Sequence, residues 1–226
     1  MRDAFLFALV LLLFTLATSS VWSQQPVSTP IWPPTFRATF TERLQIFKWL
    51  SPSTTNGTYY YDAANNRQRI DRADGSHDRY CGTVHFDKHT PCTHLVVEDK
   101  RYLVFPELKS CCMCCTSENG CGVLKRDWLK NATYIGQTTY NGYHVNQWDK
   151  EGLQHNYYYE TIGVVKPIAI DQQPNDLMVF NPNSYSEARQ DNSLFSVPSY
   201  CKDGSGSDHK CPFFSICTIA AQQRLH

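Results

Sequence analysis

Four of the ten cysteines lie in one short run, Cys111, Cys112, Cys114 and Cys115 in CCMCC, and Cys121 follows closely. Adjacent cysteines bridge each other only in strained geometry. Members of this run must therefore reach outward, partly to Cys201, Cys211 and Cys217, so the fold has to bring remote segments onto one short stretch. The amino terminus supplies the compartment in which such crosslinks form. Arg2 precedes an apolar run from Ala4 to Ala17, small residues follow, and cleavage after Ser23 fits the pattern of a secretory signal peptide. An oxidising compartment turns cysteines into disulfides. Zinc is the alternative reading of CC and CxxC runs, and secretion favours a framework in which Cys81, Cys92 and the other eight are all oxidised.

The expected organisation is a signal peptide at 1–23, a Pro-rich arm at 24–35, and one domain at 36–226 with a cysteine-rich C-terminal segment. Lys+Arg and Asp+Glu are both 21, so the net charge is zero. The leader carries one of each, Arg2 and Asp3, so the remainder is neutral too. Neutrality argues against nucleic acid, whose phosphates need clustered positive charge. No later segment approaches the roughly 18 consecutive apolar residues of a membrane-spanning helix, so no transmembrane anchor is expected. Sequons at Asn56 and Asn131 fit a secreted glycoprotein, each on an exposed turn.

Aromatic residues make up 13% of the chain, which favours strands. From Phe36 the pattern has period two, with Phe36, Ala38, Phe40, Leu44 and Ile46 on one side and Glu42 as an interruption. SPSTTNG reads as a turn. Short strands follow at 59–62 and 67–71, then hairpins at 95–97 with 102–105 and at 134–140 with 143–148. The second hairpin turns on Asn141-Gly142, a strong tight-turn signal. NYYYE, 168–170 and 177–180 are further strands, and Ser184 to Asp191 is a short-helix candidate. Together these predict a mainly β protein: a curved antiparallel sheet with one or two short helices, stapled by disulfides.

The order of YYYDAANNRQRI, Pro91-Cys92-x-x-Leu95, RYLVF, Cys111, Val145-Asn146-Gln147-Trp148 and Glu160-Thr161-Ile162-Gly163 resembles the ependymin-related family. Its members are secreted or lysosomal glycoproteins with a LolA-like half-barrel. The resemblance covers about residues 55 to 180, but CCMCC departs from the family pattern. It implies a hydrophobic or lipid-like ligand held against the concave sheet, with calcium and a homodimer as further options. It also implies a link from Cys92 to the C-terminal segment. The implied locations are extracellular or lumenal, lysosome or vacuole included.

No recognisable catalytic set is present: no Gly-x-Ser-x-Gly elbow, no His-Glu-x-x-His, no phosphate loop. His85, His89, His94 and Asp87 could be spaced for zinc or copper, but a polar loop explains them more cheaply. Asp203 to Asp208 lacks most of a calcium-loop register. The expected ligand-binding residues are Phe36, Phe40, Tyr157, Tyr159 and Glu160. The expected function is non-catalytic binding of a hydrophobic molecule. The alternative is a structural or adhesion glycoprotein with a filled core, and a hydrolase ranks third.

Overall fold

In Thr35–Leu44 (β1) every second side chain is buried and its neighbours are exposed, as the period-two pattern requires. Glu42 does not break this alternation: it is 2% exposed and shares the inner face with Phe36, Ala38, Phe40 and Leu44. The structure is a computed structural model that describes residues 27–45, 49–152, 155–201 and 210–217. The signal peptide, Ile46 and the Asp203–Asp208 loop lie outside the described residues.

Ten further strands complete one sheet: β2 (Ser53–Asp62), β3 (Arg67–Arg72), β4 (Cys92–Val97), β5 (Lys100–Phe105), β6 (Ser110–Thr116), β7 (Thr133–Tyr140), β8 (Tyr143–Lys150), β9 (Asn156–Thr161), β10 (Pro167–Gln172) and β11 (Asp176–Phe180). Their order is β6-β5-β4-β3-β2-β1-β11-β10-β9-β8-β7, antiparallel throughout, which makes an open curved sheet. Two meanders thus grow in opposite directions from the β1–β11 pair. The hairpin turn at Asn141 and Gly142 has φ of 49° and 81°, the left-handed pair that this dipeptide favours. A short α-helical turn, Cys81–Val84 (α1), and several 3₁₀ turns lie among the described residues.

Three sequence expectations fail locally. SPSTTNG is not a turn throughout, because β2 begins at Ser53 and pairs with β1 to its end. Gly57 makes that pairing possible: a Cβ there would lie 2.1 Å from the Asp71 carbonyl oxygen and 2.4 Å from Phe40 Cζ. Asn56 is accordingly an exposed strand residue, whose Oδ1 accepts from Thr41 Oγ1 at 2.8 Å, while Asn131 is on an exposed turn. Residues 184–191 form no α-helix, because Ser186 exchanges backbone hydrogen bonds with Arg37 in extended conformation. CCMCC is itself a strand, the edge strand β6, on which the sequence carried no expectation.

That last point explains the crosslinks. In a strand, adjacent side chains point to opposite faces. Cys111 therefore bonds Cys201 on the outer side, while Cys112 bonds Cys211 and Cys114 bonds Cys217. Cys115 reaches Cys121 just beyond the strand. Cys92 does not join the C-terminal segment as the family resemblance implied. It bonds Cys81, at a sequence separation of 11, and so ties α1 to β4. No described cysteine is free.

Trp32, from the segment expected to be a Pro-rich arm, is fully buried at the centre of the inner face. Its ring meets Phe36, Tyr61 and Trp128 edge-on at 5.1, 5.2 and 5.7 Å. Its Nε1 donates to Tyr158 Oη at 2.9 Å. The β6–β7 connection crosses the same face and is tied to Trp32 by two backbone-directed bonds with Arg126 and to Tyr61 Oη by the Leu124 carbonyl. Tyr157 and Tyr159 point the other way, into a cluster with Val145, Ile168 and Ala169 on the outer face.

Tyr158→Ala should therefore cost about 3–5 kcal/mol, the range for deleting a buried aromatic side chain. Tyr157→Ala should cost less than half as much. Urea unfolding of both variants checks this, and equal costs would mean that the two faces are wrongly assigned.

Candidate ligand cavity

Arg72 ends β3 on the inner face and is 5% exposed, so its charge must be matched locally. Glu42 of β1 and Asp78 from the loop before α1 supply that match. Arg72 Nη2 donates to Glu42 Oε1 at 2.8 Å, Nε donates to Glu42 Oε2, and Nε lies 3.0 Å from Asp78 Oδ2. Asp78 Oδ1 accepts from the backbone N–H groups of Tyr80 and Cys81 and from His94 Nε2, at 2.9, 2.7 and 2.9 Å. Burial alone would raise the Asp78 pKa, but Arg72 and His94 hold its carboxyl well below the usual range. Burial pushes His94 below the ordinary imidazole value, so it serves as a neutral donor.

This network forms one wall of a cavity of about 670 Å³ on the inner face. The size falls within the range of small-molecule sites. Ile70, Val123, Leu124, Trp128, Ile170 and Met178 give it an apolar side. Gln68, Arg72, Arg79, Tyr80, Arg101 and Asp176 give it a polar side. Arg72 Nη1 and Arg101 Nε are buried here without a hydrogen-bond partner among the described residues. Arg101 also stands over the Tyr80 ring, 5.6 Å from its centroid.

The expected ligand residues scatter around this cavity instead of lining it. Phe36 is buried against Trp32, stacked 5.8 Å from Tyr59. Phe40 packs 6.3 Å from Phe180. Tyr159 stacks on Tyr140 at 4.2 Å on the outer face, where Tyr157 also lies. Glu160 does face inward, but its Oε1 accepts from Trp148 Nε1 at 3.0 Å, away from the cavity lining. Burial raises its pKa to about 7. The expected group of His85, His89, His94 and Asp87 does not assemble. His94 joins the buried network, His85 packs edge-on to Phe105 at 4.5 Å, His89 turns to Asp74, and Asp87 is exposed beside Lys88.

The lining residues missed from the sequence had one signal, the interruption at Glu42. A carboxylate within an apolar strand face must either meet a buried cation or hold a proton, and Glu42 meets a cation. Which arginine answers it is settled only by the register of β1, β2 and β3.

Asp176, across the β1–β11 pair, is raised to about 8, by burial first and by Glu42 second. A raised carboxyl favours folding below the unfolded value near about 4 and loses that contribution as pH rises through its folded value. Glu160 acts the same way through about 7. Asp78, lowered, acts oppositely, and its stabilisation is lost in acid. Melting temperature should therefore peak in mildly acidic solution. Asp176→Asn should raise it at pH 8.5 and leave it unchanged at pH 4. Thermal melts across this range check the prediction, and an unchanged alkaline slope in the variant would contradict it.

Among solved structures, an uncharacterized conserved protein from Thermus thermophilus is similar over 73% of this chain and 86% of that one, at 8% identity and a TM-score of 0.45. A putative outer membrane lipoprotein-sorting protein domain from Vibrio parahaemolyticus is similar over 71% and 88%, at 9% identity and a TM-score of 0.36. A LolA superfamily protein from Nitrosomonas europaea is similar over 74% and 93%, at 7% identity and a TM-score of 0.34. No curated protein sequence matches. The matching family model carries a different description from the ependymin-related family that the motif order resembles. It covers residues 31–201, so the chain belongs to the family described as Domain of unknown function (DUF8395).

Proposed function

We propose that this protein binds an amphipathic, lipid-like small molecule in the inner-face cavity and performs no chemistry on it. The observation that carries the reading is a cavity with one apolar side and one polar side, where Arg101 Nε and Arg72 Nη1 are buried without a hydrogen-bond partner among the described residues. Buried donors left unpaired cost about 1–3 kcal/mol each, and more when charged. An acceptor-bearing head group placed there removes that cost, while the tail covers Ile70, Leu124, Trp128 and Met178. Because Glu42 and Asp78 already balance Arg72, Arg101 selects for an anionic head. The five disulfides suit an oxidising compartment, and we place the protein outside the cell or in a lumen of the secretory route. No helix among the described residues is long and apolar enough to cross a membrane.

The rival is a structural glycoprotein with a filled core. One observation favours it: Trp32 already occupies the centre of the inner face. Native mass spectrometry of the purified protein, followed by titration with a fluorescent fatty-acid analogue, separates the two readings. Binding is expected at one equivalent. Arg101→Gln should weaken it about ten-fold or more, since a hydrogen bond to a charged group contributes about 1.5–3 kcal/mol. The analogue's neutral methyl ester should bind both proteins alike. Absence of co-purified ligand together with no analogue binding would leave the structural reading in place.

A further inference from the structure

Asp74, His77 and His89 converge on the surface beside α1, away from the ligand cavity. Each offers one ligand atom, and the three atoms lie within 4.8 Å of one another. Asp74 Oδ2 is 2.8 Å from His89 Nδ1 and 3.8 Å from His77 Nδ1. Ligands about 2.1 Å from a tetrahedral zinc stand roughly 3.4 Å from each other, between these two separations. The rings meet edge-on with centroids 5.7 Å apart. We infer that these three side chains form a binding site for a zinc-class dication, with solvent completing the coordination.

The local structure prepares each ligand. Asp74 caps the 3₁₀ turn Gly75–His77, and its Oδ1 accepts from Ser76 N and Ser76 Oγ at 2.9 and 2.7 Å. That leaves Oδ2 as the oxygen turned to both imidazoles. Ser76 Oγ also lies 3.0 Å from His89 Nδ1, a contact that an incoming ion displaces. The two histidines come from segments held together by independent bonds. Gly75 N donates to the Thr90 carbonyl at 2.7 Å, and the Cys81–Cys92 disulfide closes the loop between them. Gly75 is packed so tightly against this staple that a Cβ would lie 2.6 Å from Cys92 Cβ. The donor set has two imidazoles and one carboxylate, which suits zinc or copper better than calcium, a cation that needs six to eight oxygens. Side-chain exposures of 75% for His89 and 25% for Asp74 leave a route for the ion. Binding exchanges the His89–Asp74 and His77–Thr54 hydrogen bonds for coordinate bonds.

Isothermal titration of the disulfide-intact protein with zinc chloride tests the inference. One equivalent should bind in the micromolar range or tighter, and millimolar calcium should not compete. His77→Ala and His89→Ala should each weaken binding at least ten-fold. His155→Ala, in the other surface His–carboxylate group with Asp149 and Glu151, should not. Each variant's melting temperature without metal should match the parent's within a few degrees. Zinc should raise that temperature for the parent and for His155→Ala, and for neither of the other two variants. No zinc uptake by the parent, or equal affinity in all four proteins, would overturn the site. The test does not involve the cavity, so it stands or falls apart from the ligand reading.

Discussion

Arg72 holds a full charge on the inner face of a sheet, where a lone ion costs several kcal/mol and breaking a buried pair about 3–5. Its partners lie on three different parts of the chain: Glu42 on β1, Asp78 in the loop before α1, and, through Asp78, His94 on β4. The β1–β2–β3–β4 register must therefore be correct before this charge is satisfied. A slip of one residue would send Glu42 or Arg72 to the opposite face and strand the other. The same interaction fixes the loop that carries Asp78, Arg79 and Tyr80, and with it one wall of the cavity. Stability and site geometry thus share a cause.

An open eleven-stranded sheet has two edges, and edges invite pairing with other chains. The chain handles its two edges differently. Disulfides from β6 to Cys201, Cys211 and Cys217 hold the C-terminal segment against that edge, and Met113 forms a parallel bridge to Lys210. β7 remains mostly exposed, and its pairing with β8 is shifted between Tyr134 and Gly136, an irregularity that bends an edge strand away from flat pairing. The cysteine-rich run is therefore edge protection as much as crosslinking.

The inner face divides in two. Around Trp32 it is filled, because two tryptophans and several tyrosines pack ring against ring there. Beside it the cavity runs between the β6–β7 connection, at Val123, Leu124 and Trp128, and inner-face residues of strands on both sides of β1, from Ile70 and Arg72 to Ile170 and Met178. Trp128 belongs to both halves, packing on Trp32 at 5.7 Å while lining the cavity. A ligand there would rest on the hydrophobic core itself, so occupancy and stability are linked.

Much of this was legible in the sequence for simple reasons. Alternation in β1, the Asn141-Gly142 turn and the hairpin spacing are local properties, and they mark an antiparallel β fold. The outward reach of CCMCC follows from the geometry of adjacent cysteines. Beyond the misread SPSTTNG turn and the 184–191 helix, the failures that bear on the site are non-local. Trp32 looked like part of an arm because nothing beside it says where it docks. The sequence puts Tyr157 and Tyr159 on one face because period two fixes which residues share a face, but it does not say which face is inside. The inside is set by Trp32, Arg126 and the crossing connection, far away in sequence. The cavity needed tertiary structure most of all. Glu42 by itself signals a buried polar partner, but only the pairing of three strands shows that the partner is Arg72, because a buried charge selects its partner by position in space.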